Sequence, residues 1–269
     1  MSITPMLAHP YDPEKVTWPQ LGQPKLDGVR AIVTQDGVFS RTGKVFDGLD
    51  WLVDIFNQVP NLAALDGELY CHGKPFDEIS GAVRRQGEKP DWLEYHIFDF
   101  IPESELVNSA RYEIWASSYW HLLNKGRVKT VKTVYLVNQA EADDYLEQCL
   151  EQGYEGIMLR NPEGKYEQKR SRNLHKYKKM QDAEFKIVGY REGSGKEKGL
   201  LIWQCLAPSG YLFDVRPAGS YEQRERQFAI AQRKFSSLYK GKMLTVQFQE
   251  LTPKGIPRFP VGKAIRDYE

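Results

Sequence analysis

Cysteine is scarce in this chain. Three occur in 269 residues, Cys71, Cys149 and Cys205, and no two have the close spacing of a metal knuckle. That pattern excludes a disulfide framework and a zinc module, and it fits a reducing compartment. Long apolar runs are missing as well. Met1 to Tyr11 holds Pro, His and Thr where a targeting segment would hold a hydrophobic stretch, so no signal peptide or membrane span is read there. Internal repeats and low-complexity tracts are absent, which removes solenoids and biased linkers. Nor is there an excess of one charge, since 37 Lys and Arg face 36 Asp and Glu.

What is present is an ordinary globular composition, 41% hydrophobic and 12% aromatic, in a length that suits one large domain or two ordinary ones. The near-zero net charge hides an uneven distribution. Residues 1–159 carry 14 basic against 24 acidic side chains, residues 160–182 carry 8 against 3, and residues 183–269 carry 15 against 9. A basic final third fits a phosphate-rich partner.

The most informative stretch is Gln23-Pro24-Lys25-Leu26-Asp27-Gly28-Val29-Arg30. Pro24 keeps Lys25 out of a helix interior. Gly28 allows a turn or a close backbone approach. Arg30 offers a fixed positive fork suited to phosphate. A lysine among cations is more readily neutral, and a neutral lysine is a nucleophile. The stretch reads as a lysine that attacks phosphorus.

Four more segments follow in order. Leu65-Asp66-Gly67-Glu68-Leu69 sets a carboxylate after a tight turn. Tyr95-His96-Ile97-Phe98-Asp99-Phe100 is an aromatic strand. Glu155-Gly156-Ile157-Met158-Leu159-Arg160 is an acid-led strand. Leu174-His175-Lys176-Tyr177-Lys178 places two lysines at strand period, on one face. With these five segments the chain resembles the covalent nucleotidyltransferases, and within them the small ATP-dependent DNA ligases of viral and bacterial type. The resemblance runs from Pro5 to Ile265.

The resemblance implies that Lys25 takes AMP from ATP and that the protein seals 3′-OH/5′-phosphate nicks in duplex DNA, in replication or repair. It implies ATP rather than NAD⁺, with Mg²⁺, or Mn²⁺ in its place, held by Glu68 and Glu155. Glu68 also meets the ribose, Phe98 stacks on adenine, and Gln23 reads the adenine edge. Lys176 and Lys178 hold the α-phosphate, beside Lys25 and Arg30. Arg41 matches an arginine on the 5′-phosphate of the nick, and Arg170 another phosphate-binding arginine. Arg84 and Arg85 touch backbone phosphates. Near the C-terminus Pro257-Arg258-Phe259-Pro260 and Arg266 resemble the segment that brings cations, here Arg258, Lys263 and Arg266, to the leaving pyrophosphate. A cytoplasmic or nucleoid-associated monomer with no membrane partner is expected. An RNA ligase or mRNA-capping nucleotidyltransferase shares the lysine chemistry and stays open. So does a nucleic-acid-binding module without catalysis.

The expected fold is α+β: an adenylation domain of antiparallel sheets with flanking helices over residues 1–182, then an OB-fold barrel over 183–269. Strands are read at residues 30–34, 38–41, 68–71 and 94–100, and helices at 49–59, 111–123 and 139–153. A hinge is read at Met180-Gln181-Asp182-Ala183. Barrel strands follow at 184–190, 200–207, 211–216, 243–250 and 262–266, interrupted by a helix at 221–239. Relatives that close a hairpin around DNA carry it between the first two barrel strands. Here only residues 191–199 lie there, and at about 3.3 Å per residue they cannot encircle a duplex roughly 20 Å wide. Gripping without encirclement is therefore expected, with Lys196 and Lys198 on a short flexible loop meeting phosphates.

Overall fold

The computed structural model describes residues 3–266 except 60, 103–105, 115, 116, 118, 119 and 124. The chain divides into two compact units, Met1–Lys178 and Lys179–Glu269. In the first unit run β1 (Leu7–Pro10), β2 (Gln20–Pro24), β3 (Val29–Thr34), β4 (Gly37–Ser40), α1 (Asp50–Phe56), β5 (Leu62–Tyr70), α2 (Phe76–Arg84) and β6 (Glu94–Pro102). Next come α3 (Asn108–Ile114), α4 (Trp120–Leu123), β7 (Val128–Thr130), β8 (Val134–Leu136), α5 (Gln139–Glu151), β9 (Ile157–Arg160) and β10 (Arg170–Tyr177). They form two five-stranded sheets, β4-β3-β5-β6-β7 and β1-β10-β9-β2-β8. The α+β expectation holds.

Alternation along β3 shows why the first sheet has two dry faces. Ala31 and Val33 point into a core with Leu52 and Phe56 of α1 and Ile79 and Val83 of α2. Ile32, between them, joins Ala64 and Ile101 on the opposite face. The second sheet is covered by α5, whose Ala142, Leu146 and Cys149 pack on Leu136, Ile157 and Leu159. Asn138 caps α5, its Oδ1 accepting from Glu141 N at 3.0 Å.

Helix α2 escapes a sequence reading because Pro75 opens it and Gly81 interrupts its short apolar stripe. β6 departs from simple alternation. Asp66 lies opposite Asp99, but Gly67 lies opposite Ile97, so Phe98 is one extra residue. This bulge explains how adjacent side chains reach their places. Tyr95, Ile97 and Phe100 enter the helix-covered core, Phe98 packs against the edge of that core and lines the cavity, and Asp99 turns to Arg160.

The second unit contains β11 (Gln181–Glu192), β12 (Leu201–Leu206), β13 (Leu212–Pro217), α6 (Tyr221–Leu238), β14 (Met243–Phe248) and β15 (Val261–Arg266). The strands close into a barrel in the order β11-β12-β13-β15-β14. Its interior holds Ile187, Leu201, Trp203, Val215 and Val246. Helix α6 starts in a capping box, with Gln223 N donating to Ser220 Oγ at 3.2 Å and Ser220 N to Gln223 Oε1 at 2.8 Å. Gln181 and Asp182 pair with Phe248 and Gln247, so the expected hinge at 180–183 is strand from residue 181. Among the described residues no helix is long and apolar enough to cross a membrane.

Candidate active site

Lys25 follows directly on β2 and is clamped by its own backbone. Its N–H donates to Gly156 O at 2.8 Å, and its carbonyl accepts from Glu155 N at 3.1 Å. The clamp brings the side chains together: Lys25 Nζ contacts Glu155 Oε2, and Lys178 Nζ contacts Oε1 of the same carboxylate. Gly156 is required at this crossing. Its φ is +147°, and a Cβ there would lie 2.4 Å from Tyr177 O. Gly28 serves close approach, since a Cβ on it would lie 2.4 Å from Leu69 O and 2.8 Å from Glu68 Cγ. The lysine turn therefore rests on β5 and faces Glu68.

Between these elements opens a cavity of about 750 Å³. Its walls include the cations Lys25, Arg30, Arg41, Arg84, Arg170 and Lys176, together with Lys44 and Arg160, which sequence reasoning left unassigned. Burial, then the charges of Lys25 and Arg170, lower the pKa of Lys176 from the ordinary lysine value. Among the described residues, the one acid in the walls is Glu68. Burial pushes its carboxyl up to about 7, against the pull of Lys25 and Arg30.

A carboxyl whose folded pKa is raised makes the fold most stable when protonated. The cost of ionising Glu68 is thus full above pH 7 and disappears as pH falls toward its unfolded value. Glu68→Gln is expected to raise stability at pH 8 by about 1–3 kcal/mol. The gain in melting temperature over the parent should shrink at pH 5, and a gain equal at both values would contradict the placement.

Below the cavity wall lies a dry polar network that joins the two sheets. Asp66 accepts from Arg30 Nε at 2.8 Å and from Tyr166 Oη at 2.6 Å. Asp99 accepts from Arg111 Nε at 2.9 Å and Nη2 at 3.0 Å, from Arg160 Nη1 at 2.7 Å and from Phe100 N at 2.9 Å. Burial opposes ionisation of Asp99, but Arg111 and Arg160 outweigh it and hold the carboxyl below the usual range. The Phe98 ring carries the Arg30 guanidinium 5.3 Å and the Arg160 guanidinium 5.5 Å from its centroid.

Several expected residues are placed differently from the sequence reading. Arg30 reaches the wall, but its fork is closed on Asp66 and its Nη1 donates to Met6 O at 2.7 Å, so it is a strut between elements rather than an open phosphate fork. The cation expected to unsettle Lys25 is thereby neutralised, and a carboxylate, Glu155, touches the lysine instead. Gln23 lines the cavity, as its expected base contact requires, but is 2% exposed, with both amide protons on Phe98 O and Thr133 Oγ1 and its oxygen accepting from Arg160 Nε at 2.8 Å. Arg84 and Arg85 do not act as a pair: Arg84 faces the cavity, whereas Arg85 lies with Pro90 and Trp92. Lys176 and Lys178 both turn toward Lys25, one in the wall and one through Glu155.

In the barrel unit, Arg258 pairs with Glu250 and lies 5.5 Å from the Phe259 centroid. Arg266 donates to Thr245 Oγ1 at 2.8 Å and lies 3.3 Å from Glu184. The segment joining β11 and β12 is a tied turn, not a flexible loop. Gly193 N donates to Leu200 O at 2.9 Å, Gly199 N donates to Glu192 Oε1 at 2.7 Å, and Glu197 pairs with the buried Arg224. Lys196 and Lys198 are exposed on this turn.

A two-sheet unit around a clamped lysine, continued by a five-stranded barrel, is the architecture of the nucleotidyltransferase class. Residues 5–178 match the family described as ATP dependent DNA ligase domain, and residues 192–266 match the DNA ligase OB-like domain. The chain belongs to the ATP-dependent DNA ligase family. It is 33% identical over 257 residues to a DNA ligase of African swine fever virus, covering 87% of this chain and 60% of the viral protein. The chain thus spans about 60% of the length of these viral relatives. A solved Lig E DNA ligase has the same fold, with TM-score 0.80 and 23% identity over 99% of this chain and 100% of that one. Chlorella virus DNA ligase–adenylate superposes with TM-score 0.57 at 29% identity, over 99% of both chains.

Proposed function

We propose that this protein seals 3′-OH/5′-phosphate nicks in duplex DNA, using ATP through a lysine–AMP intermediate at Lys25. The observation that carries the reading is the position of Lys25: backbone-clamped, in the wall of a cation-lined cavity of nucleotide size. In the first step the Lys25 amine forms an N–P bond to the α-phosphorus while the bond to pyrophosphate breaks and its electron pair leaves with that group. Before this the ammonium gives up a proton, and Glu155 is the base in contact with it. The AMP then passes to the 5′-phosphate of the nick. Attack by the 3′-OH closes the strand and expels AMP. Phosphoryl transfer of this kind depends on alignment and on positive charge around the phosphates. Lys176, Lys178, Arg41 and Arg170 supply that charge.

Of the two expected carboxylates, Glu68 fits the task of holding Mg²⁺ as it stands. Its carboxyl has no hydrogen bond or ion pair among the described residues and faces the cavity, whereas both Glu155 oxygens are taken, Oε2 by Lys25 and Oε1 by Lys178, so Glu155 would serve a metal only once those lysines turn to phosphate. No group of three or more His, Cys, Asp and Glu capable of holding a metal occurs among the described residues. That suits an ion which takes most of its ligands from phosphate and water. Bound there, Mg²⁺ would neutralise charge on phosphate oxygens.

The test is transfer of label from α-labelled ATP to the protein, followed by sealing of nicked DNA. No covalent label would refute the reading. Label with sealing of nicked RNA but not of nicked DNA would favour the RNA ligase alternative.

Lys196 and Lys198 are read as phosphate contacts of the barrel unit. Replacing both with Ala should reduce the slope of log K against log salt for nicked DNA by about 2. Glu197 stays in place in that variant, so Arg224 keeps its partner. An unchanged slope would remove the two lysines from the DNA contact.

A further inference from the structure

Under Phe98 lies a set of buried polar groups that the lysine chemistry does not itself require. Phe98 is the extra residue of the β6 bulge and has no position opposite it on β5. Gln23, on the other sheet, holds it: Nε2 donates to Phe98 O at 3.0 Å, and to Thr133 Oγ1 at 2.9 Å. Gln23 Oε1 accepts from Arg160 Nε at 2.8 Å. Arg160, 4% exposed, is itself fixed by Asp99 Oδ2 at 2.7 Å and by the Phe98 ring.

These partners permit one orientation of the Gln23 amide. A guanidinium only donates and a backbone carbonyl only accepts. Turned over, the amide would set N–H against N–H at Arg160 and oxygen against oxygen at Phe98. Leaving both groups unmatched in a buried site is strongly disfavoured.

We propose that Arg160 is a positioning residue that sets the nucleotide selectivity of this cavity. It holds Gln23 with its carbonyl oxygen toward the base site and, through Gln23, fixes the Phe98 platform. Oε1 has two lone pairs and Arg160 takes one. The other suits the amino group of a 6-aminopurine and opposes the keto oxygen of a 6-oxopurine. The inference rests on the reading of the cavity as an ATP site and adds to it the residue that makes the site choose ATP over GTP.

Arg160→Met removes every donor at similar length and leaves Asp99 bound to Arg111 and Phe100 N. Arg160→Lys keeps the charge but loses the fork. Thr133→Val leaves Arg160 untouched and releases one of the two acceptors on Gln23 Nε2. Formation of covalent adduct is measured with labelled ATP and labelled GTP, alongside thermal unfolding of each variant.

Arg160→Met should raise the half-saturating ATP concentration about tenfold or more, and narrow the ATP-over-GTP preference by at least about tenfold. Its rate at saturating ATP should stay within about threefold of the parent. Arg160→Lys should fall between, and Thr133→Val should narrow the preference about threefold. If the Arg160 variants do not fold, Thr133→Val decides alone. An unchanged preference in the folded variants overturns the proposal, as does a fall in saturating rate with the preference intact. Failure of the parent protein to take label from ATP would instead overturn the reading beneath it.

Discussion

Lys25→Ala is expected to form no covalent AMP adduct with ATP, and still to seal nicked DNA that already carries a 5′-adenylate. Among the cavity cations, Lys25 is the one held by its backbone to Glu155 and Gly156 at the crossing of the catalytic strands. Arg30 and Arg160 are guanidiniums closed on Asp66 and Asp99, and Lys176 lies on the other strand of the crossing. Strand closure uses the 3′-OH as nucleophile and needs no lysine amine, so that step survives. The loss of adduct should exceed about 10⁴-fold, the scale seen when an essential nucleophile is removed. An adduct at parental level in this variant would refute the assignment.

Asp99→Ala should be the most damaging change away from the nucleophile. Asp99 is 2% exposed and is the shared counter-ion of Arg111 and Arg160, themselves 2% and 4% exposed. Removing it leaves two guanidiniums in a dry interior, for which breaking a buried pair typically costs about 3–5 kcal/mol. For a protein of this size that lowers the melting temperature by roughly 10 °C. The contribution of Asp99 has a defined pH sense. Its folded pKa is depressed, so the stabilisation is complete above the unfolded carboxylate value and is lost as pH falls through the folded one. Acid should therefore narrow the gap between parent and variant. A shift of under about 1 kcal/mol at pH 7 would mean that Arg111 and Arg160 find other partners.

Legibility in the sequence followed chain distance. The lysine turn, the acid of β5, the acid before β9 and the lysine pair at the end of β10 each lie in a short segment whose residue types state their chemistry. Barrel strands and α6 were also legible, because alternation and a capping residue are local signals. The β6 strand was legible but its facing was not, since the bulge at Phe98 changes the period and leaves no mark in composition. Arg160 closed a quoted segment and still went unassigned. Its partners Gln23 and Asp99 lie 137 and 61 residues away, and nothing in one chain of letters pairs them. For the same reason Arg30 read as an open phosphate fork: Asp66, 36 residues on, is what closes it. The 191–199 segment reads as flexible because three of its nine residues are glycine, whereas the tie that orders it, Glu197 to Arg224, again joins distant residues.

In the proposed reaction AMP is carried on Lys25 on its way to a DNA nick. Mapping the modified peptide after reaction with ATP, before and after addition of nicked duplex, tests it most directly. AMP is expected on the peptide containing Lys25, with its loss on adding nicked DNA in step with the appearance of sealed strand. AMP on any other residue, or an adduct at Lys25 that persists in the presence of nicked DNA, would contradict it.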